Sequence, residues 1–374
     1  MKIQMVDLHR QYLRLKPEID QAMQNVIDSC SFINGPQVRS FSSHLSEYLG
    51  VPHVIPCGNG TDALQIALMS LNLMPGDEVI VPAFTYVAAA EVIALLGLIP
   101  VWVDVEEDTF NINPYQIEAA ISPKTKALIV VHLFGQSCPM EIIRQIAEQN
   151  HLYVIEDNAQ SLGAECIYTD GQRRKTGTIG HIGTTSFFPS KPLACYGDGG
   201  AVITSDDRLA ERIRMIANHG QIKKYHHKII GCNSRLDTLQ AAVLEAKLPH
   251  INEFAEARQR VAQAYDEALG NDPRWEIPQR TTYSTHVFHQ YTLRIKDGKR
   301  DALQSYLKEH DIPSMVYYPL PLHRQEAFYG LARNGSVLPH AENLTQAVLS
   351  LPIHSEMTEE EIGYIIETIK HFES

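Results

Sequence analysis

Through about residue 210, short β-rich apolar runs alternate with helix-like stretches, and this alternation limits the fold more than any other feature of the chain. Val79-Ile80-Val81, Val101-Trp102-Val103, Ala127 to Val131 and Tyr153-Val154-Ile155 each read as a short buried strand, and Thr185 to Phe188 and Ala201 to Thr204 add two more. Helical patterns such as Asp62 to Ser70 and Met140 to Gln149 lie between them. Strands of this kind interleaved with helices imply an α/β unit whose largely parallel sheet is covered on both faces. The pattern then changes. Leu236 to about Ala268 reads as one long helix or a broken pair, with Pro249 marking a kink or boundary. Residues 288–295 alternate like a half-exposed strand, with helices expected at 299–309 and 357–370, which suits a smaller α+β domain. The expected division is therefore 1–250 and 251–374.

A formal net charge of −12 argues against a nucleic-acid-binding surface, because phosphate backbones are gripped by clustered Lys and Arg. No run reaches the roughly 18 apolar residues a membrane span needs, and the N-terminal residues lack the apolar segment of a signal peptide. The six cysteines are scattered with no CxxC pair, so reduced thiols in a cytoplasmic protein, with no metal site, are expected.

Four segments carry candidate chemistry. Lys191, in Ser186-Phe187-Phe188-Pro189-Ser190-Lys191, sits between an expected strand and the turn Tyr196-Gly197-Asp198-Gly199-Gly200. Its amine could attack an aldehyde if desolvation lowered its pKa; alone, a lysine beside a turn is an ordinary surface residue. Asp157 and Gln160 follow an apolar strand, at the sheet end where α/β enzymes place ligands. An acid there could pair with a protonated pyridine nitrogen, or could simply make an Asx turn or a helix cap. Gly58-Asn59-Gly60-Thr61 leads into a helix and offers either an anion site or a plain cap. Phe84, in Pro82-Ala83-Phe84-Thr85-Tyr86, could cover a flat ring or belong to the core.

Taken together and in this order, the segments resemble the DegT/DnrJ/EryC1/StrS family of nucleotide-sugar aminotransferases, over nearly the whole chain. The resemblance implies the aspartate-aminotransferase (type I) fold and a pyridoxal-phosphate cofactor carried by Lys191 as a Schiff base. Asp157 would pair with the pyridine nitrogen, Gln160 would bond the ring oxygen, Phe84 would stack on the ring, and Gly60, Thr61 and Ser186 would hold the phosphate. Asn233 matches an asparagine that reaches the cofactor phosphate of a neighbouring subunit, implying a homodimer with shared sites. Lysine at 191, where close relatives that dehydrate the sugar at C3 have histidine, favours transamination.

Within the family the chain is most similar to enzymes that aminate C3 of a UDP-2-acetamido-2-deoxy-3-oxo-glucuronate for surface polysaccharides. Glutamate is the implied amino donor. Tyr317-Tyr318-Pro319 departs from their usual His-Tyr-Pro, which leaves C4 amination and dTDP-linked sugars open. A sugar diphosphate needs local cations, and Arg235, His226, His227, Lys223 and Lys224 are candidates, unless they are only a solvated charge run. Tyr317, Tyr318 and His323 are further candidates for the sugar site. A non-catalytic regulatory protein that kept the fold is the remaining alternative.

Overall fold

The computed structural model describes residues 3–333 and 337–373. In chain order the first half runs α1 (Leu8–Ser29), α2 (Pro36–Leu49), β1 (His53–Cys57), α3 (Gly60–Ser70), β2 (Glu78–Pro82), α4 (Ala88–Leu95), β3 (Ile99–Val103), α5 (Pro114–Ala120), β4 (Thr125–Val131), α6 (Met140–Gln149) and β5 (Tyr153–Asp157). A small hairpin follows, β6 (Glu165–Ile167) and β7 (Arg173–Lys175), then β8 (Ile182–Ser186), β9 (Gly200–Thr204) and α7 (Asp207–Ala217). Beyond lie the ribbon β10 (Gln221–Lys223) and β11 (His226–His227), α8 (Thr238–Lys247) and α9 (Ile251–Leu269). The remaining elements are β12 (Trp275–Glu276), β13 (Tyr291–Ile295), α10 (Arg300–Glu309), α11 (Pro339–Ala347), β14 (Val348–Leu351) and α12 (Glu359–Lys370).

Seven strands form the central sheet in the order β1-β9-β8-β5-β4-β2-β3. Four neighbouring pairs, from β8 to β3, are parallel, while β9 runs antiparallel to both β8 and β1. The sheet is thus mostly parallel, as expected of the type I fold. Residue alternation sorts its side chains to two faces. Val79, Val81, Ile129 and Ile155 pack in one buried cluster with α3, α4 and α7, whereas Ile80, Val101, Leu128, Val130 and Val154 pack in another with α5 and α6. A fully covered sheet explains why these strands read as unbroken apolar runs.

The expected break at Pro249 is present: α8 ends at Lys247, a short 3-10 turn carries Pro249, and α9 begins at Ile251. Strand β13 is shorter than the expected 288–295, because residues 286–290 leave it to bond the turn at 133–136. A second sheet, β12-β13-β14, and a second core built from α9, α10 and α12 occupy the C-terminal part. Arg10 on α1 fastens to Glu361 on α12, itself the N3 residue of a capping box with Thr358. No helix among the described residues is long and apolar enough to cross a membrane. All six cysteines are free thiols.

Candidate active site

In the parallel part of the sheet the strands end at one edge, and the site assembles there. Two antiparallel steps separate β1 from β8, so β1 points the same way, and the start of α3 reaches the same edge as Asp157 at the end of β5 and Ser186 at the end of β8. A cavity of about 600 Å³ opens at this edge.

Lys191 enters the cavity wall from the connection between β8 and β9. That connection is pinned by hydrogen bonds from the Phe187 N–H to Gly199 O (2.7 Å), the Lys191 N–H to Phe188 O (2.8 Å) and the Cys195 N–H to Phe187 O (2.8 Å). Burial pushes the Lys191 amine down to about 8, although the Asp157 charge pulls the other way. Near neutral pH about a tenth is therefore a free base, far more than for an ordinary lysine, as a nucleophile for an aldehyde requires. Asp157 lines the same cavity, and burial raises its pKa against the opposing pull of the Ala159 N–H and of Lys191. Its Oδ1 accepts from Ala159 N–H at 3.0 Å, so the Asx-turn reading of this residue holds as well. A cation placed against the carboxylate lowers that pKa again, which suits a protonated ring nitrogen.

Gln160 lines the cavity and is oriented from both ends. Its Oε1 accepts from the Phe134 N–H (2.8 Å), and its Nε2 donates to the Tyr318 hydroxyl (3.1 Å). At the start of α3 the Asn59 side chain caps the Asp62 N–H, which leaves the Gly60 and Thr61 N–H groups without intrahelical partners. Gly60 is required by close approach: a Cβ there would lie 2.7 Å from the Ser186 Cβ and 3.2 Å from its hydroxyl. Gly60, Thr61 and Ser186 thus line the same cavity, offering two free helix N–H groups and two hydroxyls of the kind a phosphate seat needs. The set fits pyridoxal phosphate: an anion seat, an acid for the ring nitrogen and a free amine share one cavity.

Other expectations are met differently. Phe84 does not face the cavity. It is fully buried, with ring contacts to Phe110 and Tyr318, and the aromatic that reaches the wall is Tyr86, two residues on. A bend between β2 and α4 breaks the strand register there and sends the two rings to different places. Tyr317 and Tyr318 line the cavity. His226 and His227 lie on the exposed β10–β11 ribbon, away from the cavity wall of their own chain. Asn233 is exposed and accepts from the Arg235 Nε at 2.9 Å. His323 pairs with Glu342 (3.0 Å) outside the wall.

Residues that were missed include Asp198, His289, Gln290, Phe188 and Tyr86. Asp198, Phe188 and Tyr86 stood inside motifs already singled out. His289 gave no signal among 17 histidines.

An amine and an acid facing one cavity beside an anion seat, at the edge of a mostly parallel α/β sheet, define a pyridoxal-phosphate-dependent transaminase. The chain belongs to the DegT/DnrJ/EryC1/StrS aminotransferase family, whose model matches residues 14–370. It is 45% identical to the UDP-2-acetamido-2-deoxy-3-oxo-D-glucuronate aminotransferase of Pseudomonas aeruginosa, over 94% of this chain and 95% of that one. It is 46% identical to a "pleiotropic regulatory protein" of Geobacillus stearothermophilus, over 100% and 99%. The crystal structure of a family aminotransferase from Brucella abortus superposes with a TM-score of 0.93 at 41% identity, covering 98% of each chain. The protein is a sugar aminotransferase.

Proposed function

We propose that the protein transfers an amino group from glutamate to C3 of a UDP-linked 2-acetamido-2-deoxy-3-oxo-hexuronate. The observation that carries the transaminase assignment at residue level is the placement of Lys191 and Asp157 in one cavity beside the seat formed by Gly60, Thr61 and Ser186. The choice of sugar is supported by the likeness to the Pseudomonas enzyme.

Pyridoxal phosphate supplies the electron sink that makes the donor's Cα–H acidic. The chain's own residues do the rest. Lys191 Nζ takes the Cα proton from the donor, holds it, and hands it on; in the second half-reaction it runs the transfer in reverse. Asp157 keeps the ring nitrogen protonated, Gln160 orients the ring oxygen, and the start of α3 with Ser186 fixes the phosphate. Tyr86, Phe188, Tyr317 and Tyr318 give the sugar apolar faces and hydroxyls.

The same reading makes the working unit a homodimer. Asn233, Arg235 and the ribbon at 221–227 would complete the site of the neighbouring subunit, with Lys223, Lys224, His226 and His227 near the nucleotide's phosphates. Its support is that this basic ribbon and its flank also expose Ile222, Tyr225 and Ile230 to solvent. Residues 1–250 and 251–374 are proposed as the two domains, and the cytoplasm as the compartment.

The test is product identification by NMR after incubation with glutamate and a panel of UDP- and dTDP-linked 3- and 4-keto sugars. A new amine at C3 of the uronate is expected. An amine at C4, or turnover only of a sugar without the C6 carboxylate, overturns the assignment of substrate.

A further inference from the structure

His289 lies in the cavity wall, only 5% exposed, and its buried Nδ1 has no hydrogen-bond partner. A buried ring nitrogen left unpaired is costly, and such groups in a native fold call for a partner that arrives with the ligand or with the chemistry.

The backbone that carries the ring is pinned. On either side of it, the Val287 N–H donates to Gly135 O (2.9 Å) and the Gln290 N–H to Phe134 O (3.3 Å). Gly135, at φ +110°, permits the approach of this backbone, since a Cβ there would sit 2.9 Å from the Phe288 backbone nitrogen and 3.0 Å from the His289 backbone nitrogen. The same turn holds Gln160 through the Phe134 N–H. His289 is thus fixed to the scaffold that orients the cofactor ring.

Its charged neighbours are Lys191, from the β8–β9 connection, and Arg258, from α9. Both are cations, and together with burial they keep the imidazole neutral, well below its ordinary pKa. Asp157, from β5, is the carboxylate that acts on Lys191.

We propose that His289 is a positioning residue for Lys191, its neutral ring accepting a hydrogen bond from the lysine Nζ. The inference rests on the role proposed for Lys191. While Lys191 holds the donor's proton it is an ammonium in a desolvated cavity, with three N–H groups to satisfy. Asp157 is committed to the ring nitrogen. The unpaired imidazole nitrogen offers an acceptor that leaves the amine aimed at the reacting carbons.

The experiment follows uptake of pyridoxal phosphate by the apo-protein as a function of pH in wild type, His289→Phe, His289→Asn and His289→Gln. Asparagine and glutamine place an acceptor near the Nδ1 and Nε2 positions respectively. Losing the acceptor makes the ammonium harder to hold, so the free amine persists to lower pH. The midpoint of uptake in His289→Phe is expected to fall by about one pH unit, with kcat reduced more than KM is raised. His289→Asn, which keeps an acceptor near the Nδ1 position, is expected to restore the midpoint, and His289→Gln is not. A midpoint in His289→Phe equal to or above that of wild type overturns the proposal, as does failure of His289→Asn to restore it.

Should His289→Phe not fold, ring-¹⁵N NMR of wild type and Lys191→Met apo-protein decides. One imidazole nitrogen is expected to shift when the amine is removed, and identical spectra overturn the idea. Covalent uptake of pyridoxal phosphate by Lys191→Met would refute the role of Lys191 itself, a separate failure.

Discussion

The two halves of the site are built on different principles. The cofactor half is made from the ends of β5 and β8 and the start of α3, all anchored in a sheet buried on both faces. Asp157, Gln160, Ser186, Gly60 and Thr61 converge there within one chain. The proposed substrate half is split. Tyr317 and Tyr318 are in the wall, but Arg235 bonds Asn233, the residue proposed for the neighbouring subunit's cofactor phosphate, at the surface, and His226 and His227 ride an exposed ribbon. A scaffold strand can fix a side chain well enough for chemistry, whereas a two-stranded ribbon on the surface is marginal alone and gains order from what it packs against.

The largest expected effect falls on the scaffolded half. Lys191→Ala should lose turnover by about 10⁴-fold or more, since it removes both the nucleophile and the proton carrier; a steady-state assay with glutamate checks this. Normal turnover there would erase the distinction between the halves.

Next comes the ribbon. Changing His226 and His227 to Ala together should raise KM for the nucleotide sugar by about tenfold, with kcat nearly kept, as loss of uniform binding does. In mixed dimers with Lys191→Ala subunits the defect should appear in the site opposite the altered ribbon. A KM defect confined to the altered subunit's own site would put the ribbon in its own chain's site.

A smaller effect concerns stability. The Lys191 amine falls from 10.5 unfolded to about 8 folded, so folding the apo-protein must strip or bury a charge. That penalty is full below pH 8 and fades as pH rises toward 10.5. The Lys191→Met apo-protein should therefore be more stable than wild type at pH 7, by on the order of 2 kcal/mol, and should lose most of that advantage by pH 10.5. Denaturant titration at the two pH values measures it.

Smallest is the fastening of α1 to α12. Arg10 holds the Glu361 carboxylate down at about 2, so the pair contributes fully above the ordinary carboxylate pKa and is lost as pH falls toward 2. Arg10 is partly exposed, and Arg10→Ala should cost only about 1 kcal/mol at pH 7 after solvent screening.

What could be read from the sequence follows the same division. Strands β2 to β5 were legible because burial on both faces makes them continuous apolar runs, whereas β8, with the sequence Ile-Gly-Thr-Thr-Ser, begins three residues before the expected Thr185 to Phe188. Strand β1 was not, since Pro56 interrupts His53–Cys57, and proline is tolerated only because β1 is an edge strand. Lys191, Asp157 and Ser186 took their meaning from motif order; no one of them was distinctive by spacing alone. Phe84 misled because a bend, invisible in the residue pattern, gives the cavity to Tyr86. His289 was beyond reach, because its place depends on residues 286–290 bonding a turn some 150 positions earlier.

The likeness to a regulatory protein of Geobacillus makes catalysis itself the claim most worth testing. The measurement is a single half-reaction: protein loaded with pyridoxal phosphate is mixed with glutamate alone, and 2-oxoglutarate is counted per subunit. One equivalent per subunit is predicted, together with bleaching of the cofactor band and its return on addition of a UDP-linked 3-keto sugar. No 2-oxoglutarate and an unchanged spectrum, from protein that has taken up the cofactor, would contradict the role given to glutamate and Lys191.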